Sequence, residues 1–266
     1  MPSGLIIAIL IKIMVETDFK RALLEARDAN ESSLVFALDL SADLFAYQNR
    51  DRRSAKRESL FNRASNLLDQ AAPHLAAVKI NYPLVLALGP ELTGELLSNC
   101  DIPAIGDFKV ADIDNTCKWI ARHGFGMGFD AIIAHAFVGF EGGLQGLFQV
   151  AQEKGRGVIL VINMSHPGSR QFITPQAGEL TSFAVQQEAD GVIAPATRPE
   201  EVRSARNQLG PNTLMLTPGI GAQGGKPGDA VAAGADLEIV GRGIYQAEEP
   251  GRAAKKIKEQ ISETAG

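Results

Sequence analysis

From residue 34 onward, short apolar runs rich in β-branched residues alternate with longer stretches in which Leu, Ala and Val recur at helical spacing. Eight runs qualify as strands: Leu34–Leu40, Ala77–Asn81, Ala104–Lys109, Ala131–Phe137, Val158–Asn163, Gly191–Ala196, Leu214–Pro218 and Leu237–Gly241. They lie roughly 25 to 45 residues apart, the length of one βα unit. Helices are expected between them, among others at Arg53–Ala72, Leu144–Glu153, Glu179–Glu188, Glu200–Leu209 and Ala253–Ser262. The start of the fourth of these carries Arg198-Pro199-Glu200-Glu201, with proline and acids suited to a first turn.

Eight β-then-α repeats predict a closed (β/α)8 TIM barrel. An open doubly wound sheet would carry a glycine fingerprint after its first strand, and Leu38-Asp39-Leu40-Ser41 has none. No linker or low-complexity tract interrupts the series, so residues 34–266 form one barrel domain, preceded by an N-terminal extension of residues 1–33. Leu5 to Val15 is an apolar run, but Lys12 interrupts it, no cationic residue precedes it and no small-residue cleavage site follows. It is too short to cross a bilayer, which takes about 20 residues, and is expected to be a packed or frayed extension.

Composition narrows the class further. The 266 residues are 45% hydrophobic and 21% charged, which excludes disorder and coiled coil. A formal charge of -5 would repel a nucleic-acid backbone. Two cysteines, Cys100 and Cys117, suffice for neither a disulfide framework nor a zinc site, and a reducing, cytoplasmic location is expected.

In such a barrel, polar residues at the C-terminal ends of strands face a shared mouth. That rule selects Asp39, Lys79, Asp107, Lys109, His135, Ser165, Thr197, Arg198, the loop after Thr217, and Gly241-Arg242-Gly243. Strand alternation places Asp107 and Lys109 on one face. With Lys79 and Asp112 they form an array alternating in sign, which suits a lysine acting as an acid toward a developing carbanion. Asp112 serves equally well as a carboxylate at the start of the next helix. Five glycines between 218 and 228, with Arg242 nearby, suit a phosphate site and a lid, although a flexible turn has the same composition. Ser165-His166 lacks the elbow of a serine nucleophile, so Ser165 is expected to hydrogen-bond a polar ring and His166 to be structural. His74 and His123 are expected to be surface or core residues, and Trp119, Phe125 and Phe129 core or interface.

These stretches, together with Val78-Lys79-Ile80-Asn81-Tyr82-Pro83, Asp107-Phe108-Lys109-Val110-Ala111-Asp112-Ile113, Met164-Ser165-His166-Pro167-Gly168 and Pro218-Gly219-Ile220-Gly221-Ala222-Gln223-Gly224-Gly225, resemble the orotidine 5'-phosphate decarboxylases, particularly the short archaeal type. The similarity runs from about residue 34 to 260. It implies cofactor-independent and metal-free conversion of orotidine 5'-phosphate to uridine 5'-phosphate in pyrimidine biosynthesis, with neither nucleic acid nor membrane as partner. Lys109 would give the proton to pyrimidine C6 and Asp107 would sit against the scissile carboxylate. Asp39 and Lys79 would bind ribose hydroxyls, Ser165 the pyrimidine, and Gln223, Gly241 and Arg242 the phosphate, with Pro218 lining the cavity. The resemblance also implies a homodimer in which Asp112, Ile113 and Thr116 reach the neighbouring subunit's site. Asp114 departs from the family's pattern, and residues before Ser33 have no counterpart in it. A rival with the same Asp-x-Lys-x-x-Asp spacing is a magnesium-dependent sugar-phosphate barrel, in which the acids hold metal. A non-catalytic nucleotide-binding barrel is the third reading.

Overall fold

The computed structural model describes residues 17–46, 48–221 and 224–265, so the apolar run Leu5 to Val15 lies outside the described residues. Eight parallel strands close into a barrel in sequence order: β1 (Leu34–Leu38), β2 (Ala77–Asn81), β3 (Ala104–Val110), β4 (Ala131–His135), β5 (Gly157–Val161), β6 (Gly191–Ile193), β7 (Leu214–Pro218) and β8 (Leu237–Val240), with β8 pairing back onto β1. The strands read mostly as apolar runs because both faces are buried, with Lys79, Asp107, Lys109, His135 and Glu238 as the ionisable exceptions. Val35, Ala37, Ile105, Ile133, Ile159, Val161, Leu216 and Ile239 fill the interior, while Leu34, Phe36, Val78, Ile80 and Val158 face the surrounding helices.

The expected helices are present with shifted ends, at Arg50–Ala71 (α2), Gln145–Lys154, Ala177–Gln186, Pro199–Leu209 and Pro250–Ala265. Five expected strands are shorter than their apolar runs. β1 stops at Leu38, β5 at Val161, β6 at Ile193 and β8 at Val240, and β4 stops at His135, because Ala136–Val138 turns into a 3-10 segment.

The floor of the barrel is closed by helix α1 (Asp18–Ala29), an amphipathic helix that lies within the segment expected to be an N-terminal extension. Only Phe19 and Leu23, one turn apart, are buried, and they join the interior cluster. Thr17 caps the helix by accepting from the Lys20 N–H at 3.2 Å and donates its own hydroxyl to Asp190. Gly157 is required here, since a Cβ at that position would lie 2.2 Å from the Phe19 ring. Gly157→Ala is therefore expected to lower the melting temperature, at a cost of about 1–3 kcal/mol from overpacking, with little effect on ligand affinity at the opposite end. Thermal unfolding beside a ligand titration checks this.

Candidate active site

The C-terminal ends of β1, β2, β3, β5, β7 and β8 open onto a cavity of about 320 Å³, lined by Asp39, Lys79, Asp107, Lys109, Ser165, Pro218, Gly241 and Arg242 among others. These eight sequence candidates meet at one place although 203 positions separate the first from the last in the chain.

Four of them form a linear chain of opposite charges. Lys79 Nζ lies 3.2 Å from Asp39 Oδ1 and 2.6 Å from Asp107 Oδ2, and Lys109 Nζ lies 2.6 Å from Asp107 Oδ1. Lys79 is only 5% exposed, and burial by itself would lower its pKa, but the adjacent carboxylates of Asp107 and Asp39 outweigh this and raise it. Asp107 shows the mirror image. Burial pushes its carboxyl up, yet Lys79 and Lys109 hold it below its ordinary value. Both groups are thus kept charged in a water-poor setting, where a change in a neighbour's charge is felt strongly.

Simple strand alternation does not account for how Asp107 and Lys109 reach the mouth together. Gly106 pairs with Ile132 and Val110 with Ala134, so four steps along β3 match two along β4. Residues 107–109 form a bulge, and Lys109 adopts a left-handed backbone with φ 47°. For a residue bearing a Cβ that conformation costs about 1–2 kcal/mol. The bulge is held from outside by Phe108, which stands edge-on to Phe129 at 5.2 Å and to Tyr82 at 5.8 Å. Gly106 makes room for it, since a Cβ there would sit 3.1 Å from the Phe108 ring. The bulge aims the Lys109 ammonium into the cavity and leaves its side chain partly open to it, at 41% exposure.

Across the mouth, β7 runs through Pro218 into Gly219, and β8 into Gly241-Arg242. Gly219, Gly221, Gly224 and Gly228 all have positive φ, which explains the glycine density of this loop. Its far end is moored by Glu238, a fully buried carboxylate that accepts from the N–H groups of Gly228 at 2.8 Å and Ala230 at 3.0 Å. Gly241 passes close to β1, where a Cβ would lie 3.2 Å from the Ala37 carbonyl oxygen. Backbone N–H groups beside one guanidinium make this end of the cavity suited to a phosphate. Gln223 lies outside the described residues.

Several candidates fall elsewhere. Asp112, Ile113 and Thr116 do not line the cavity of their own chain. Asp112 is exposed and Ile113 is 67% exposed, both just before the helix Asp114–Gly126. That helix begins at Asp114, so the first-turn acid is Asp114 rather than Asp112. Thr197 and His135 also lie outside the lining. His135 has its Nδ1 buried without a hydrogen-bond partner, and burial together with the Lys109 charge lowers its pKa. Thr217 donates to the Leu237 carbonyl at 3.1 Å and is part of the barrel wall. Arg198, at the helix start as expected, reaches back to Ser169 Oγ and the Met164 carbonyl, fixing the loop that presents Ser165.

Asn163 and Tyr245 line the cavity without having been singled out in the sequence. Asn163 donates to Glu201 Oε2 at 2.6 Å and accepts from Thr174 at 2.9 Å. Its position at the end of an apolar run was the available signal. Of the aromatics expected in the core or at an interface, Phe125 and Phe129 are buried, and Trp119 is half exposed, stacked on His123 with the Arg122 guanidinium 5.2 Å from its ring centre.

Comparison with known proteins agrees with this geometry. Residues 32–257 match the profile of the orotidine 5'-phosphate decarboxylase / HUMPS family. The chain is 41% identical over 232 residues to the orotidine 5'-phosphate decarboxylase of Methanococcoides burtonii, covering 87% of this chain and 98% of that one. It is 44% identical over 201 residues to that of Thermococcus kodakarensis, covering 76% and 92% respectively. Among solved structures, the Methanocaldococcus jannaschii orotidine 5'-monophosphate decarboxylase in complex with the inhibitor BMP superimposes with a TM-score of 0.74 at 35% identity, covering 86% of this chain and 97% of that one. A barrel whose strand ends carry this array, matched along most of its length by such relatives, belongs to the orotidine 5'-phosphate decarboxylase / HUMPS family.

Proposed function

We propose that this chain converts orotidine 5'-phosphate to uridine 5'-phosphate and CO2, a step of pyrimidine biosynthesis. The observation that carries this reading is the Asp39–Lys79–Asp107–Lys109 chain across the barrel mouth. The phosphate lies against Gly219, Gly241 and Arg242, the ribose hydroxyls against Asp39 and Lys79, and the pyrimidine edge against Ser165. This docking holds the substrate carboxylate beside Asp107, an arrangement bearable only because remote contacts anchor the ligand. The C6–carboxylate bond breaks, CO2 leaves, and the electron pair stays on C6. The Lys109 ammonium, next to C6, stabilises that charge and transfers a proton to it. The resulting amine regains its proton from solvent after product leaves.

The surface position of Asp112, Ile113 and Thr116, away from their own cavity, supports a homodimer in which each subunit lends these residues to its partner's site. Mixing an Asp112→Ala variant with a Lys109→Ala variant is then expected to restore activity. Random pairing places one intact site in half the dimers, so recovery approaches roughly a quarter of the wild-type rate. Subunits that do not share sites would give no recovery.

The magnesium-dependent sugar-phosphate reading is disfavoured by the placement of Lys79, whose ammonium fills the space between the Asp39 and Asp107 carboxylates. A divalent cation held by those acids would have to displace it. An ultraviolet assay of orotidine 5'-phosphate decarboxylation after exhaustive chelation separates the two. Full turnover supports the proposal, and activity that disappears and returns with magnesium overturns it.

A further inference from the structure

Helix α2 is longer than its place in the barrel requires. Its 22 residues span about 33 Å, whereas a five-residue strand such as β1 or β2 spans about 17 Å. The helix ends near the barrel floor, where Ala71 leads through His74 to the start of β2, so its first ten residues stand above the strand ends on the mouth side. Burial follows the same division. Leu60, Ala64, Leu67, Leu68 and Ala71 are buried, and none of residues 50–59 is. The overhang lies beside the mouth, since Arg57 Nε donates to the Ala87 carbonyl of the helix that follows β2, and the segment leading into it begins at Asp39.

This projection is strongly basic. Residues 50–58 hold Arg50, Arg52, Arg53, Lys56 and Arg57 against two acids, Asp51 and Glu58, in a chain whose overall charge is -5. Among the described residues, Arg50, Arg52 and Lys56 are exposed and make no ion pair. Their placement is locally unfavourable. Cations oppose the positive end of a helix, and Arg52 with Lys56, and Arg53 with Arg57, are like charges one turn apart. Among the described residues Arg57 is held by the Ala87 carbonyl, while Arg50, Arg52 and Lys56 have no partner that offsets their repulsion, an arrangement that favours an anionic visitor at the mouth.

We infer that the α2 overhang is an electrostatic guide that draws the anionic nucleotide to the barrel mouth. The inference rests on the reaction proposed above. Orotidine 5'-phosphate carries about three negative charges at neutral pH, and the protein as a whole repels it. A local cluster with three net positive charges standing above the mouth reverses the sign of the field along the approach path. A neighbouring feature of the same projection, Phe45 at 86% exposure in the turn below it, adds no charge and is not needed for this role.

The test is a triple variant, Arg50→Gln, Arg52→Gln and Lys56→Gln, with uridine 5'-phosphate affinity measured calorimetrically across ionic strength, beside kcat/KM. At about 0.01 M ionic strength the variant is expected to bind about five-fold more weakly, with kcat/KM falling in parallel and kcat unchanged; above about 0.5 M the difference shrinks below about two-fold. Its melting temperature is expected to equal or exceed that of the wild type, since repulsion within the helix is relieved. Equal affinity at low salt, or a loss that persists undiminished at high salt, overturns the inference. So does a variant that loses binding to an oligouridylate while keeping its uridine 5'-phosphate affinity at every salt, which would make the overhang a polynucleotide surface. Failure of the wild type to bind uridine 5'-phosphate under any condition would instead remove the proposed reaction, and this inference with it.

Discussion

Replacing Lys109 by Ala is expected to lower kcat by at least about 10⁴-fold while uridine 5'-phosphate still binds. The ammonium does two things in the proposed reaction: it offsets charge at C6 and it supplies the proton. Positioned general acids contribute about 10² to 10⁴-fold, and preorganised charge a comparable factor. No other proton donor stands ready in the array. Lys79 is enclosed between Asp39 and Asp107, and the lowered pKa of His135 makes it neutral at physiological pH. Phosphate and ribose contacts come from other strands, so binding is retained. Because Lys109 sits at a left-handed backbone position, Lys109→Gly is a useful companion. It relieves backbone strain and is expected to be at least as stable as Lys109→Ala and equally inactive. Loss of folding in both variants would make the residue structural.

The second large effect concerns Asp107, among the described residues the only acid in contact with both lysines. Asp107→Asn leaves buried Lys79 with Asp39 alone, at the longer 3.2 Å distance, and Lys109 with no carboxylate among the described residues. Breaking a buried pair of this kind costs about 3 kcal/mol, which in a domain of this size lowers the melting temperature by roughly 10 °C. Activity is expected to fall about 10³-fold or more, since the array no longer aims Lys109 or opposes the substrate carboxylate. The pH dependence of stability gives a separate check. The Asp107 pKa is depressed in the folded protein, so its stabilising contribution is present above its ordinary value of 3.8 and is lost as pH falls through the lower folded value. The Lys79 pKa is raised, so its contribution is complete below its ordinary value of 10.5 and is lost as pH rises through the higher folded value. Between about pH 4 and 10 the pair keeps its charges. The Asn variant is expected to lose the Asp107 share of the acid limb, so its deficit relative to wild type narrows below pH 4. A deficit that stays constant there would contradict the assignment.

The barrel was legible in the sequence for a physical reason: parallel strands buried on both faces must be apolar throughout, so a charged residue closing such a run stands out. Asp39, Lys79, Asp107 and Lys109 were found in this way. The same logic overlooked Asn163, which is polar but uncharged at the end of its run. The β3 bulge left no periodic trace. Two extra residues between Gly106 and Val110 show only in pairing with β4, and the left-handed Lys109 only in its backbone angle. Helix α1 was missed although Phe19 and Leu23, with Leu24 beside them, recur at helical spacing, because it precedes the first βα repeat and fell within the segment assigned to the extension. The overhang of α2 was hidden for the opposite reason. Ten helical residues with nothing buried carry no amphipathic signal, and the expected start at Arg53 fell three residues inside the observed one at Arg50. Asp112 shows a different limit: its service as a cap or as a group in a site depends on a neighbouring surface that a single chain does not contain.

The central claim is that the Lys109 ammonium exchanges a proton with C6 of a bound uridine nucleotide. Microscopic reversibility allows this to be followed without any decarboxylation. Uridine 5'-phosphate is incubated with the protein in D2O, and loss of the C6 proton signal is monitored by proton NMR. The wild type is expected to exchange hydrogen at C6 for deuterium, and Lys109→Ala to leave it at the rate without protein even when saturated with ligand. Exchange at equal rates in both proteins would show that another group carries the proton.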